Sequence, residues 1–147
     1  INLSLDIGAN VGNYTKLILQ ETNSKVISFE PLPKAYRELE ILKKDFNDRL
    51  EIFNIGISNE SKKQDLYFGN EKSEKASLIK NLEKLSFVGK TNKNKISVEV
   101  KKLDDLEDIL KNQIIDFIKI DTEGYEFEVL DGAKHILKEH KPKFIQN

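Results

Sequence analysis

The fold is decided by the stretch Leu3-Ser4-Leu5-Asp6-Ile7-Gly8-Ala9-Asn10-Val11-Gly12-Asn13-Tyr14-Thr15. A short apolar run comes first, two glycines follow it, and a helical pattern of apolar residues begins after them. This order predicts a buried strand that turns abruptly into a helix. Gly8 lets the backbone turn tightly and approach a ligand, because no Cβ stands in the way. Asp6, at the end of the predicted strand, places a carboxylate beside the crevice that such a ligand would occupy.

The spacing of the glycines separates two classes of cofactor. A nicotinamide-binding loop has three glycines as G-x-G-x-x-G and receives a pyrophosphate. Here the pattern is D-x-G-A-N-x-G, with Asn10 in place of the middle glycine. A carboxylate two residues before the first glycine suits a cation better than a phosphate, and S-adenosylmethionine carries such a cation in its α-ammonium group. The loop therefore predicts a class I methyltransferase; the alternative is a strand–turn–helix joint that binds no ligand.

Composition excludes several other classes. The chain has 147 residues, enough for one domain with a real core, and its net charge is −1. Lysines and acidic residues are interspersed, so the sequence shows no basic field of the kind that nucleic-acid binders carry, and no nucleic-acid partner is predicted. No apolar run approaches the length of a membrane span, so no membrane partner is predicted. No signal peptide is recognised, and the cytoplasm is the default location. The absence of cysteine excludes disulfides and thiolate chemistry. Oligomeric state is left open.

Both ends of the chain suggest a fragment of a longer protein. Methionine is absent throughout, and residue 1 lies almost inside the first predicted strand. The last residues, 142–147, resemble a strand that has just begun. We therefore expect a single domain over 1–147, truncated at its C-terminal strands.

Strand patterns alternate with helical patterns along most of the chain. The predicted strands cover 3–7, 25–30, 50–57 and 114–121, and the predicted helices begin near Val11, near Pro33, at Leu103 and before Val129. This alternation predicts an α/β fold of the Rossmann-like type, with a mostly parallel sheet and helices on both faces. In such sheets ligands bind at the carboxyl ends of the strands.

Residues 58–102 interrupt the alternation and are predicted to be an insertion rather than a second domain. Strand patterns cover 64–69 and 95–101, and the second alternates cleanly. Between them, 70–94 is rich in lysine and asparagine and has poor periodicity. We expect this segment to be a mobile loop near the mouth of the crevice.

Five residues fall at the carboxyl edge of the predicted sheet. Glu30 ends the second strand, 22 positions after Gly8, where adenosine-binding α/β folds place an acid that accepts from the ribose hydroxyls. The alternative is that Glu30 caps the next helix. Asn54, near the end of the third strand, could contact an adenine edge. One register brings these residues together: Asp6, Gly8, Glu30, Asn54 and Asp121.

Asp121 and Glu123 are the candidate catalytic residues. A carboxylate beside a reacting hydroxyl can act as a general base, and at a turn both side chains could enter the crevice. The alternative is that these acids stabilise the start of the following helix. A metal-assisted version is conceivable with oxygen ligands, but the sequence has no strongly spaced ligand set, so no metal site is predicted.

Five motifs together resemble the FkbM-like methyltransferase family, and the resemblance covers nearly the whole chain. The K-I-D-x-E-G-x-E motif that begins at Lys119 is much more specific than the glycine loop. The motifs are L-D-I-G-A-N-V-G (5–12), F-E-P (29–31), A-S-L (76–78), V-K-K-L-D (100–104) and D-F-I-K-I-D-T-E-G-Y-E (116–126).

The resemblance implies an S-adenosylmethionine-dependent O-methyltransferase that acts on a hydroxyl of a sugar, a glycan or a small natural product. It implies that Asp121 and Glu123 lie by the transferred methyl. The expected cofactor-binding residues are Asp6, Gly8, Ala9, Asn10, Gly12, Asn13, Glu30 and Asn54. Two alternatives stay open: a non-catalytic cofactor-binding module, and a nucleic-acid methyltransferase. The latter is expected to carry an N/D-P-P-Y-type motif, where this chain has D-T-E-G at 121–124.

Overall fold

The structure is a computed structural model that describes residues 2–68, 76–77 and 94–147. The described strands are β1 (Leu3–Ile7), β2 (Lys25–Phe29), β3 (Leu50–Phe53), β4 (Gly56–Ile57), β5 (Lys62–Phe68), β6 (Ala76–Ser77), β7 (Asn94–Lys101), β8 (Ile115–Ile120) and β9 (Phe144–Gln146). The described α-helices are α1 (Asn13–Glu21), α2 (Pro33–Phe46), α3 (Glu107–Leu110), α4 (Glu126–Asp131) and α5 (Lys134–His140), with 3-10 turns at Asn47–Arg49 and Leu103–Leu106.

The main sheet has the strand order β3-β2-β1-β8-β9, and all of its pairs are parallel. Asp6 on the central strand β1 is in register with Ser28 on β2 and with Lys119 on β8. Because the strands are parallel, their carboxyl ends meet at one edge, where β1, β2 and β8 each run into a loop. The predicted Rossmann-like sheet, with Gly8 at the first strand-to-helix turn, is confirmed.

Helices cover both faces of this sheet, as the alternation predicted. On one face, apolar strand residues such as Leu5 and Ile118 pack with Leu110, Val129 and Ile136 from α3, α4 and α5. On the other face, the cluster that contains Ile18 and Leu19 from α1 also includes apolar residues of β2, β3 and α2. Polar side chains also lie buried on the α1 face, and they reach the candidate site described below.

Two predicted elements are each divided in the structure. The predicted strand 50–57 is two strands: β3 joins the main sheet, and β4 pairs with β7 in a second sheet. The predicted helix through Val129 and Leu137 is also two helices, separated at Gly132. A Cβ on Gly132 would lie 2.0 Å from the carbonyl oxygen of Ser58, so this close backbone approach requires glycine.

The predicted insertion contributes a second sheet of order β4-β7-β5-β6. Its two predicted strands are confirmed as β5 and β7, which pair antiparallel from Lys62↔Val100 to Phe68↔Asn94. Leu66 and Val100 are buried with Leu32 and Tyr125 packed against them, so this sheet stands beside the carboxyl edge of the main one. The predicted mobile loop, 70–94, lies almost entirely outside the described residues. Within the described ranges, no helix has the length and apolar character that crossing a membrane requires.

Candidate functional site

Two adjoining clefts open at the carboxyl edge of the main sheet, and Gly8, Asn10 and Asp121 line both. The other residues that line the first cleft are Phe29, Glu30, Pro31, Leu32, Gly56, Ile57, Leu66, Thr122 and Glu123. The other residues that line the second cleft are Ala9, Val11, Asn13, Tyr14, Leu17 and Lys119. The shared residues make the two clefts one elongated site.

Glu30 presents a buried carboxylate to the first cleft. It follows β2 directly and is 5% exposed. One of its oxygens accepts a hydrogen bond from the backbone N–H of Asn10 and the other accepts from that of Leu32, both at 2.8 Å. Burial raises the pKa of this carboxyl above its usual 4.5, although the two amide hydrogen bonds and the nearby Lys119 act in the opposite direction. The predicted capping of the next helix is not seen, since α2 has no side-chain cap and Glu30 bonds the amide of Leu32, the residue before the helix; its ligand role stays a prediction.

The glycine loop brings β1, β2 and β8 into direct contact. The N–H groups of Gly8 and Ala9 both donate to the carbonyl of Phe29, at 3.0 and 3.1 Å. Gly8 has φ +79°, and a Cβ there would lie 2.0 Å from the carbonyl oxygen of Asp121. Asn10 has φ +50°, a conformation that asparagine tolerates better than most residues. Asn10 therefore keeps the backbone shape of a glycine loop while adding a side chain.

Asp6 lies beneath this loop rather than on the wall of a cleft. Its side chain is fully buried. One carboxylate oxygen accepts from the hydroxyl of Thr15 at 2.6 Å, and the other lies 3.2 Å from the ammonium of Lys119. Any effect of Asp6 on a ligand in the clefts would therefore pass through Lys119 and the loop.

Asp121 and Glu123 both line the first cleft, on the turn that joins β8 to α4. The N–H of Asp121 donates to the carbonyl of Ile7 at 2.9 Å, while its side chain is 61% exposed. Glu123 has φ +54° and Gly124 has φ +96°, so the chain leaves the extended conformation here. This turn is the reason that two acids separated by one residue reach the same cleft.

Glu126 stabilises that turn. Its carboxylate accepts hydrogen bonds from the backbone N–H groups of Thr122 and Gly124, at 3.2 and 3.0 Å, and from the Thr122 hydroxyl at 3.3 Å. Burial alone would raise the pKa of Glu126, but these hydrogen bonds outweigh it and lower the pKa below 4.5. The Glu126 carboxylate therefore has a structural role at the start of α4.

Comparison with known protein families identifies the domain. A family model described as the methyltransferase FkbM domain matches residues 6–146, almost the entire chain. The chain belongs to the FkbM methyltransferase family. Among curated proteins, no sequence matches it. The resemblance expected from the sequence motifs is confirmed, and the chain is a methyltransferase domain on a Rossmann-like sheet.

Three further predicted site residues of this FkbM domain lie around the clefts in different ways. Asn13 lines the second cleft. Gly12 has φ +86° just before α1, and a Cβ there would lie 2.7 Å from Cδ2 of Leu39 on α2. Asn54 is exposed, and its amide donates to the carbonyls of Glu30 and Pro31 at 2.8 and 3.1 Å. Asn54 therefore fixes the backbone that carries Glu30.

The structure also places in the clefts residues that the sequence interpretation did not assign to the candidate site. Lys119 lines the second cleft and pairs with both Asp6 and Asp121. The sequence did mark Lys119 as unusual, because it is a single charge between Ile118 and Ile120 in a buried strand. Its partners depend on strand register, which the pattern alone does not give. Leu32 and Leu66 on the first cleft and Leu17 on the second are apolar residues indistinguishable in sequence from core.

Among the described residues, no group of three or more histidine, aspartate or glutamate side chains could hold a metal ion. The carboxylates of Asp6 and Asp121 are instead brought together around the ammonium of Lys119.

Proposed function

We propose that the methyl donor is S-adenosylmethionine and that Glu30 binds its ribose hydroxyls. The observation that carries this proposal is the buried Glu30 carboxylate at the end of β2, facing the first cleft. Ionised carboxylates accept about four hydrogen bonds. Two are used here by the amides of Asn10 and Leu32, so each oxygen can accept another from a hydroxyl.

The surroundings of Glu30 also fit an adenosine. Apolar side chains of Phe29, Leu32, Ile57 and Leu66 line the same cleft and suit a flat base. The backbone of Gly8 lines both clefts and joins them. An elongated ligand held at Glu30 could therefore place its base in the first cleft and its amino-acid tail across Gly8 toward the second.

Charge supports a cationic donor over a dinucleotide. In the described part of the chain, the charged side chains that line the clefts are three carboxylates, from Glu30, Asp121 and Glu123, and the ammonium of Lys119. Lys119 is itself paired with buried Asp6. This excess of negative charge favours a sulfonium and an α-ammonium, and disfavours the pyrophosphate of a nicotinamide cofactor.

We further propose that the acceptor is a hydroxyl of a sugar, a glycan or a small natural product. When bound, the donor supplies an already activated methyl group, so the protein must mainly orient the hydroxyl and take up its proton. The exposed carboxylate of Asp121, at the junction of the clefts, is the proposed general base. Glu123, on the rim of the first cleft, is proposed to help orient the acceptor.

Calorimetry with S-adenosylmethionine, S-adenosylhomocysteine and NAD tests the donor. We expect the first two to bind and NAD to bind much more weakly; preferential binding of NAD would overturn the proposal. Transfer of a labelled methyl group to panels of sugars, phenols, peptides and nucleic acids tests the acceptor. Transfer only to a peptide or a nucleic acid would contradict the proposed acceptor class and leave the donor result intact.

A further inference from the structure

Lys119 is a charged side chain within an apolar strand, and the proposed mechanism gives it no role. It is 9% exposed and lies on the face of β8 that α1 covers. Its ammonium lies 3.2 Å from one oxygen of Asp6, 3.6 Å from one oxygen of Asp121 and 5.1 Å from the centroid of the Tyr14 ring. Lys119 therefore links the buried carboxylate of Asp6, beneath the glycine loop, to the exposed carboxylate of Asp121.

The contact with Asp6 fixes the lysine in place. Asp6 is fully buried, and its second oxygen accepts from the Thr15 hydroxyl, which in turn lies 2.8 Å from the hydroxyl of Ser28. The Tyr14 ring adds a cation–π contact to Lys119. Contacts from β1, β2 and α1 thus hold this ammonium, directly or through the Asp6 carboxylate, before any ligand binds.

Asp121 stands in a different environment, because its side chain is 61% exposed. An exposed aspartate samples several rotamers, and an ion pair with a mobile surface lysine contributes little to fixing one of them. Lys119 is not mobile in this sense, since it is already ordered by Asp6. Most of the entropic cost of an ion pair is therefore absent, and the contact can select one orientation of the Asp121 carboxylate.

We propose that Lys119 is a positioning residue that, anchored by Asp6, holds the carboxylate of Asp121 at the junction of the two clefts. The inference rests on the proposed function for the role of Asp121 as the base, but the ion-pair geometry itself does not depend on that role. Lys119 lies on the wall of the second cleft, and in this proposal it acts on the reaction through the carboxylate of Asp121.

The variants must separate positioning from stability. Lys119→Met leaves Asp6 buried without a cation and destabilises the fold, so it is uninformative alone. The double variant Asp6→Asn/Lys119→Met removes both buried charges, and its unfolding midpoint should recover toward that of the parent. Lys143→Met is the matched control. It removes a lysine that pairs with Asp116 at 2.9 Å on the same sheet, outside both clefts.

The first measurement needs no substrate. Three-bond NMR couplings of Asp121, assigned with the help of Asp121→Asn, report its χ1 rotamer. We expect one dominant rotamer in the parent and in Lys143→Met, and averaging among rotamers in the double variant. An unchanged rotamer in the double variant would overturn the proposal. If that variant does not fold, Lys119→Gln is measured by the same criterion.

The second measurement is the single-turnover rate of methyl transfer to an acceptor found by the screen above. A misplaced base should slow transfer roughly ten- to a hundredfold in the double variant. Its affinity for S-adenosylhomocysteine should fall much less. Recovery of the rate together with the unfolding midpoint would show that Lys119 only stabilises the fold. If the parent binds no S-adenosylmethionine, the proposed function fails, while the rotamer result still decides whether Lys119 positions the Asp121 carboxylate.

Discussion

At the scale of single residues, Glu30 makes the most direct prediction. Glu30→Gln keeps the shape of the side chain but replaces one acceptor oxygen with a donor amide, which faces the N–H of Asn10 or of Leu32. One backbone amide then loses its partner, and the ribose hydroxyls lose charge-assisted acceptors. Affinity for S-adenosylhomocysteine should fall roughly ten- to a hundredfold by calorimetry.

Glu38→Gln is the control for this substitution, because Glu38 is exposed on α2 and lines neither cleft. It should bind S-adenosylhomocysteine as the parent does. Parent-like binding by Glu30→Gln would show that the ribose is held elsewhere.

The pKa of Glu30 predicts a pH dependence at the same residue. Burial raises the pKa in the folded state above 4.5, so the folded protein keeps this proton at pH values where the unfolded chain has released it. The contribution of Glu30 to folding stability is therefore full below the unfolded pKa, and it is lost as pH rises through the folded value. The affinity for a ribose should change with pH in the opposite direction and rise, since the ionised carboxylate is the better acceptor of hydroxyl hydrogen bonds.

We expect the affinity for S-adenosylhomocysteine to rise with pH through the raised pKa of Glu30, above pH 4.5. Calorimetry of the parent and of Glu30→Gln across this range checks the expectation. The variant should lack the Glu30-dependent part of the rise. Equal pH profiles in the two proteins would rule out Glu30 as the titrating group.

At the scale of elements, the sequence predicted what local patterns determine. The strands β1, β2 and β8 and the loop at Gly8 have short apolar runs with clear stops, so their bounds match closely. The break between β3 and β4 was not predicted, because β4 leaves the main sheet to pair with Val100 and Lys101, 44 positions along the chain. The break at Gly132 likewise depends on the Ser58 carbonyl.

The candidate site was likewise predicted only in part. Gly8, Glu30 and Asp121 were predicted to share the carboxyl edge, and they do line one cleft, because parallel strands place their ends together. The burial of Asp6 and its pairing with Lys119 could not be predicted, since they depend on register and on the helix above. Sequence therefore indicated the edge of the sheet, and tertiary contacts decide which side chains face the clefts.

Disruption of the junction between β1 and β8 should destabilise the fold strongly. Gly8→Ala introduces a Cβ 2.0 Å from the carbonyl oxygen of Asp121, at a backbone conformation of φ +79° that alanine rarely adopts. The ends of the two strands must separate, which should lower the free energy of unfolding by about 2–4 kcal/mol. Urea unfolding measures the change.

Gly56→Ala is the comparison for this substitution. Its Cβ would lie 3.0 Å from a methyl of Val100, a side chain that can shift, and no positive φ is involved. It should be clearly milder than Gly8→Ala. Similar destabilisation by the two variants would contradict the importance of the β1–β8 junction.

At the scale of the whole molecule, the charges nearly cancel. The chain has 24 basic lysine and arginine residues, 25 acidic residues and a net charge of −1, so no strong overall field attracts a charged ligand. Selection between donors is therefore expected to come from the local charges at the clefts, which in the described part of the chain are three carboxylates and one ammonium. Steering by the surface contributes little.

This local selection predicts a difference between the donor and its product. S-adenosylmethionine carries the positive charge of the sulfonium, which S-adenosylhomocysteine lacks, so only the donor gains from carboxylates near the sulfur. Raising the salt concentration screens that gain, with a Debye length that falls from about 10 Å at 0.1 M to about 3 Å at 1 M. Calorimetry should show the affinity for S-adenosylmethionine falling with salt more steeply than that for S-adenosylhomocysteine.

Asp121→Asn removes the exposed carboxylate at the junction and should reduce the difference between the two slopes, whereas the control Glu38→Gln should leave it unchanged. Equal salt slopes for the two ligands in the parent would mean that the sulfonium lies away from these carboxylates, and the proposed base Asp121 would then be too far from the methyl to act.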